Sequence, residues 1–453
     1  MKDFRKNKKY RKAMALVLML VMVAGLAGCG EKKEEKIAAP ISLVKDDTKK
    51  ENEKENDIQA GKDETDIPTA EMDSTVLQSG MNAFAYEIAD QLNQNGDDTN
   101  YFFSPYSLCA ALTLLGNASQ GDTLAQINEV LGINDLEDWN KQLSLFMKKE
   151  QPGDAYLISA NSLWLAKGYE PSETFYSEYY PLVSKYFEAG LFEADYKDNP
   201  KQTVKQMNQW ISEATEGMIP DFVKDVDKDT VITLMNAVYF YGEWLHTFEA
   251  SSTRERTFYG TNGETEVQMM GQGDLYLSYY EKDGVRGICM PYGDGSKVMN
   301  ILIADDNSDK TAAELFADFT SAGKNEFLGM LMNADTIKVE TLRIPKFSME
   351  YTMNDVPEIL KKMGMTDVFD PIKAELNHIN AETYVSDVSH MAKIEVDELG
   401  SKAAAVTIVE GVDGCAPEEE EIKINFVVDR PFIFFIQDVE SEIILFSGQV
   451  NNL

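Results

Sequence analysis

Histidine is almost absent. Of 453 residues only His246, His378 and His390 carry an imidazole. General-base catalysis and zinc chemistry both draw on that group, so its scarcity narrows the enzyme classes open to the chain. Cysteine is nearly as sparse: Cys29, Cys109, Cys289 and Cys415 share no metal-ligand spacing and form no Cys-x-x-Cys. Four cysteines in so long a chain do not make a disulfide framework. Missing too are a Gly-x-Ser-x-Gly elbow, a phosphate-binding Gly-x-x-x-x-Gly-Lys-[Ser/Thr] loop, His-Glu-x-x-His, and a Gly-x-Gly-x-x-Gly that opens a helix. No metal, no cofactor and no catalytic residue is expected. Positive charge is short as well, 42 Lys and Arg against 77 Asp and Glu, a formal net charge of −35. Neither nucleic acid nor an anionic membrane attracts such a chain electrostatically, and the plain reading is a solvated acidic surface.

What is present begins with an address. Residues 2–12, "KDFRKNKKYRK", are basic, and residues 13–28, "AMALVLMLVMVAGLAG", are apolar. A positive stretch before a short apolar run is the layout of a secretory signal peptide, and the run is at the short end for a membrane span. It closes on Leu26-Ala27-Gly28-Cys29, which resembles the bacterial lipobox. That resemblance implies removal of residues 1–28, acylation of Cys29, and a protein held by lipid on the outer face of a bacterial cell membrane. Residues 29–77 then read as a charged tether. They are rich in Lys, Glu and Asp and poor in aliphatics, and such a segment buries too little apolar surface to offset its ordering entropy.

From about residue 78 the pattern is that of one α+β domain reaching residue 453, with no internal repeat and no linker. Met81, Phe84, Ile88 and Leu92 share a helical face. Ser104-Pro105 starts a capped helix. "PKQTVKQMNQWISEATEGMI" has helical spacing, with Val204, Met207, Trp210 and Ile211 on one side. "VITLMNAVYFYGEW" is a nearly continuous apolar run of the length of a central, doubly covered strand. "TIKVETLRIPKFSMEY" reads as a strand, and "IKINFVVDRPFIFFIQD" and "EIILFSGQV" as closing strands. Cys109 and Cys289 fall in apolar stretches and are most simply core. His246 reads as a surface residue. His390, alternating with apolar residues in "YVSDVSHMAK", reads as buried and hydrogen-bonded.

Several ordered stretches together resemble the serpin family: "NYFFSPYSLCAALTLLGNASQGDT", "ANSLWL", "MNQWISEATEGMIPDFV", "LMNAVYFYGEWLHTFEASSTRERTFY", "RIPKFSMEYTMNDVPEILKKMGMTDVFDP", "YVSDVSHMAKIEVDELGSKAAAVT" and "DRPFIFFIQDVESEIILFSGQV". The resemblance covers residues 78–453. It implies a large central β-sheet with smaller sheets, surrounding helices and an exposed reactive loop at about 398–421. It implies a monomer that inhibits serine proteases as a suicide substrate and is not an enzyme. Two alternatives are a non-inhibitory binding protein of the same fold and an inhibitor of papain-like cysteine proteases. A surface hydrolase would need a nucleophile–base pair, which the scarcity of histidine disfavours.

The resemblance also carries over residue by residue. Ser104, Ser107, Asn236 and His390 match the polar cluster behind the centre of the main sheet. Trp244 matches the Trp where insertion starts, and Glu398 the hinge acid. With Gly400 as hinge, a strand's alternation puts Ser401, Ala403, Ala405, Thr407 and Val409 on one face, all small or β-branched and uncharged. The other face carries Lys402, Ala404, Val406, Ile408 and Glu410. Leu399 and Lys402 stand where the family has acids, and Val406 where it has Ala. The family spacing sets the scissile bond at Gly414–Cys415. The small residues around it suggest an elastase-like or subtilisin-like target, since a narrow pocket accepts them. The uncleaved loop is expected to lie outside the sheet.

Overall fold

The computed structural model describes residues 41–43, 72–94, 99–149, 155–187, 189–219, 222–353, 355–401 and 422–453. Two sheets dominate. Strands are β1 (Ile41–Ser42), β2 (Tyr101–Phe103), β3 (Ala155–Ala166), β4 (Gly190–Ala194), β5 (Ile232–Glu243), β6 (Arg254–Gly260), β7 (Gly263–Gln272), β8 (Leu275–Lys282), β9 (Val285–Tyr292), β10 (Lys297–Ala304), β11 (Thr336–Pro345), β12 (Phe347–Met353), β13 (Val385–Val396), β14 (Gly400–Ser401), β15 (Lys423–Val427), β16 (Phe432–Asp438) and β17 (Ile444–Val450). The main sheet has the order β1-β4-β3-β5-β14-β13-β12 among the described residues. The second runs β2-β17-β16-β10-β9-β8-β11-β7-β6, with β15 beside β11.

The main sheet is covered on both faces, which is why β5 is mostly apolar, Thr233 and Asn236 being the polar exceptions in its interior. On one face Leu234, Val238 and Phe240 belong to the large core that also holds Leu108, Leu112 and Leu115 of the helix Pro105–Ala118. On the other face Met235 and Ala237 pack with Trp164, Met391 and with Met207 and Ile211 of the helix Pro200–Ala214. Ser104 caps the first of these helices, its side chain accepting from the Ser107 N–H at 3.1 Å, and Pro105 takes the first helical position, where a missing N–H costs nothing.

One pairing decides how the sheet can change. β5 and β3 are antiparallel, as are β13 and β12, but β5 and β13 run parallel, with Asn236 opposite His390. At the head of this seam β14 intrudes. Gly400 and Ser401 pair antiparallel with Glu243 and Gly242 of β5, and Ser401 pairs antiparallel with Val396 of β13. The expectation that the uncleaved loop lies outside the sheet is corrected here: Gly400 and Ser401, at its hinge, are already seated. The parted strand ends leave open backbone groups on both sides, and β14 satisfies them.

Three further differences from the sequence reading have local causes. Thr336–Met353 is two strands in different sheets, broken at Lys346, whose N–H closes the β11–β7 ladder on the Gln268 carbonyl before the chain crosses to the main sheet. The first helix begins at Thr75, inside the range assigned to the tether. Within that same range Ile41–Leu43 joins the main sheet: Ile41 lies opposite Glu193, Ser42 opposite Phe192, and the Leu43 N–H donates to the Leu191 carbonyl at 3.1 Å. Composition argued against order in this segment, but β4 presents an open edge that any extended chain can pair with, and Leu43 adds a buried side chain.

Candidate functional site at the head and centre of the main sheet

The chain that leads into β14 is fastened at several points. Asp397 and Gly400 exchange backbone hydrogen bonds in a tight turn, and the Leu399 N–H donates to Asp397 Oδ1 at 2.9 Å. The Trp244 backbone N–H donates to the Leu399 carbonyl at 2.8 Å, its indole Nε1–H to the Asp397 carbonyl at 3.0 Å, and the Phe248 N–H to the Glu398 carbonyl at 2.8 Å. Gly400 has φ of +150°, and a Cβ there would lie 2.1 Å from the Gly242 carbonyl oxygen. Only glycine meets both conditions.

Two side-chain contacts complete the head. Tyr292 stacks on Trp244, ring centroids 4.4 Å apart, and its hydroxyl lies 2.8 Å from Ser401 Oγ. Lys346 Nζ donates to Glu398 Oε2 at 2.6 Å, and the Thr253 hydroxyl donates to Oε1 at 2.7 Å. Burial alone would push the Glu398 carboxyl up, but these two donors outweigh it and hold its pKa below the ordinary carboxylate value.

Seven residues down β5, about 23 Å at a strand's rise, lies a buried polar cluster. The Ser104 N–H donates to His390 Nε2 at 3.1 Å, so Nε2 is the acceptor and Nδ1 carries the proton, which goes to Asn236 Oδ1 at 2.5 Å. Asn236 Nδ2 reaches Ser107 Oγ at 2.5 Å and Asn161 Oδ1 at 2.8 Å. Ser107 Oγ in turn lies 2.7 Å from Ser159 Oγ, and the Ser104 hydroxyl donates to the Leu445 carbonyl at 2.7 Å. Burial lowers the His390 pKa to about 3. A second ring proton would meet the Ser104 N–H head on, so the ring is neutral at ordinary pH.

The structure thus brings Ser104, Ser107, Asn236 and His390 into one hydrogen-bonded group and sets Trp244, Glu398, Gly400 and Ser401 together at the head of the seam. Ala403, Ala404, Ala405, Thr407, Gly414, Cys415 and Cys29 lie outside the described residues. Sequence reasoning missed Asn161, Ser159, Lys346, Thr253 and Tyr292, which meet their partners from 52 to 145 residues away. His246 is exposed, and Cys109 and Cys289 are free and buried. Burial pushes both thiols well up. Among the described residues no cluster of His, Cys, Asp and Glu is built to hold a metal ion.

A family model described as "Serpin (serine protease inhibitor)" matches residues 79–453. An uncharacterised serpin-like protein of Thermococcus kodakarensis is 33% identical over 403 residues, 85% of this chain and 89% of its own. The leukocyte elastase inhibitor of Xenopus tropicalis is 29% identical over 387 residues, 83% of this chain and 99% of its own. Among solved structures, the native state of the thermophilic serpin tengpin matches with a TM-score of 0.74 and 30% identity, covering 85% of this chain and 96% of that one. The chain belongs to the serpin family, whose members are generally protease inhibitors rather than catalysts.

Two outcomes follow from this geometry. His390 is neutral when folded and free to protonate when unfolded. Its contribution is therefore complete above pH 6.5 and is lost progressively as pH falls from 6.5 towards 3, by about 1.4 kcal/mol per unit. Urea midpoints at pH 7.5 and 5 should show a drop about 2 kcal/mol larger for the wild type than for His390→Gln; equal drops would contradict the buried neutral ring. Glu398→Gln should weaken the head by about 1.5–3 kcal/mol, the usual range for a hydrogen bond to a charged group. An unchanged denaturation midpoint would remove Lys346–Glu398 from the account.

Proposed function

We propose that this serpin is a lipid-anchored suicide inhibitor of serine proteases, acting outside a bacterial cell membrane as a monomer. The observation that supports it most is the antiparallel seating of Gly400 and Ser401 between two strands that are parallel below them. A chain entering from the head turns one parallel pair into two antiparallel ones, and parallel pairing is the slightly weaker of the two. Continuing both registers would bring Ala403 opposite Phe240 and Ile394, Ala405 opposite Val238 and Ala392, and Thr407 between Asn236 and His390. Small residues fit beneath the buried helix Pro105–Ala118 without overpacking, and the Thr407 hydroxyl can take up hydrogen bonds that Asn236 and His390 lose when parted.

The chemistry belongs to the protease. Its serine oxygen forms an ester with the carbonyl of Gly414, and the amide to Cys415 breaks, its nitrogen leaving with a proton. Freed at one end, the front of the loop adds to the sheet, a recognised instance of strand addition, and carries the acyl-enzyme with it before water cleaves the ester. Val412, Gly414, Cys415 and Ala416 favour a protease with a narrow pocket, elastase-like or subtilisin-like, and a relative of this chain is itself named a leukocyte elastase inhibitor. Export and acylation at Cys29 follow from the "LAGC" run.

The test is incubation with elastase and subtilisin, read by denaturing gel and by the mass of the released C-terminal peptide. A covalent complex and a peptide beginning at Cys415 are expected. Thr407→Arg sets an unpaired charge at the buried centre of the seam, a costly burial, so this variant should be cut without trapping. Equal trapping by both proteins would overturn the proposed insertion face, and the absence of any complex with either protease would overturn the inhibitory reading.

A further inference from the structure

β1 has a direction, and that direction fixes which end of the domain the tether leaves from. β1 is antiparallel to β4, β4 is parallel to β3, and β3 is antiparallel to β5. Following the register across, Ile41 aligns with Glu193, Glu193 with Leu165, and Leu165 with Ile232 at the start of β5. Gly400 aligns with Glu243 at the other end of β5. The chain therefore enters the sheet at the pole opposite the reactive loop, about 36 Å away along the strands at 3.3 Å per residue.

β1 is also seated firmly enough to transmit that position. Its ladder with β4 continues through the Leu43 N–H to the Leu191 carbonyl, and Leu43 is buried in the same core as Leu191. Only residues 30–40 separate Ile41 from Cys29. Those eleven residues span at most about 36 Å when extended and about 18 Å as a random coil.

Resting on the reading that Cys29 is acylated, we infer that β1 fixes the orientation of the anchored inhibitor, with the Ile232 pole towards the membrane and the reactive-loop pole outward. The membrane-side pole carries no positive excess to draw it onto the lipid: Asp225, Asp227 and Asp229 are exposed there beside Lys224 and Lys228. A stem of this length stands them off by more than the Debye length of roughly 8–10 Å. The lipid sets the distance and β1 sets the direction. The bait loop faces arriving proteases, and a trapped protease carried along the seam moves towards the membrane.

The test uses the full-length acylated protein in vesicles of zwitterionic and anionic phospholipid with an acceptor dye on the outer-leaflet headgroups. Donor dyes go on single cysteines at two exposed sites, Lys228→Cys beside the Ile232 pole and Ser296→Cys beside the loop pole, where the Gly293 N–H donates to the Glu243 carbonyl. Both are made in a Cys415→Ser background, since Cys109 and Cys289 are buried. Energy transfer to the bilayer should be several-fold greater from Lys228→Cys. Leu43→Asp, checked by circular dichroism to remain folded, should unseat β1, lengthen the free stem from eleven residues to roughly forty and shrink that difference. Equal or reversed transfer in the parent overturns the orientation, and so does a difference that survives a folded Leu43→Asp. Protein that neither floats with vesicles nor carries an acyl mass would instead overturn the anchoring reading, on which the orientation depends.

Discussion

Two parallel strands, β5 and β13, lie side by side in the main sheet, each antiparallel to its outer neighbour, β3 and β12, and a third chain, antiparallel to both, is wedged into their upper end. Most of what distinguishes this molecule depends on that seam. Its lower part is closed by the His390–Asn236 contact and by the serines and Asn161 behind it. Its head is held by Trp244, Tyr292 and the Lys346–Glu398 pair. The two sets of contacts oppose each other. In the proposed mechanism the head contacts hold a strand at the entrance, and the polar cluster closes the path below it. Breaking the cluster without replacement leaves buried polar groups unpaired, so the seam is stable until a chain arrives that can supply partners. Thr407 is such a partner if the register of Gly400 and Ser401 continues.

The electrostatics follow the same division. His390 is fully enclosed and stays neutral, so it acts through hydrogen bonds whose direction is fixed by the Ser104 N–H. Glu398 sits at the edge, keeps its charge and acts as the acceptor of two donors from separate strands or turns. A neutral bolt in the core and a charged latch at the rim respond to different perturbations. Acid weakens the first by protonating the imidazole of the unfolded chain and the second, at lower pH, by discharging the carboxylate, while Glu398→Gln weakens the second alone.

Much of this was legible in the sequence because it is local or periodic. Met81, Phe84 and Ile88 mark a buried helical face, and Ser104-Pro105 marks a cap. The nearly continuous apolar run Ile232–Tyr241, broken by Thr233 and Asn236, marks a strand covered on both sides. His390, alternating with apolar residues, was legible as buried. The ordered family motifs supplied the grouping of Ser104, Ser107, Asn236 and His390. What could not be read is non-local. Nothing near Lys346 points to Glu398, and nothing near Tyr292 points to Ser401. The two-sheet break at Lys346 is invisible to a period-2 pattern that runs through it, and β1 is two residues, Ile41 and Ser42, in a segment rich in charge, ordered by an edge strand about 150 residues away.

The central claim is that the uncut seam is held short of a more stable arrangement, with a strand's worth of hydrogen bonding and burial kept in reserve by a kinetic barrier. Thermal unfolding before and after limited proteolysis, with the cut within Val412–Pro417 confirmed by mass, tests it most directly. If the front of the loop adds to the sheet between β5 and β13, the cut protein melts at a higher temperature than the intact one. A cut protein that melts at the same or a lower temperature would contradict insertion.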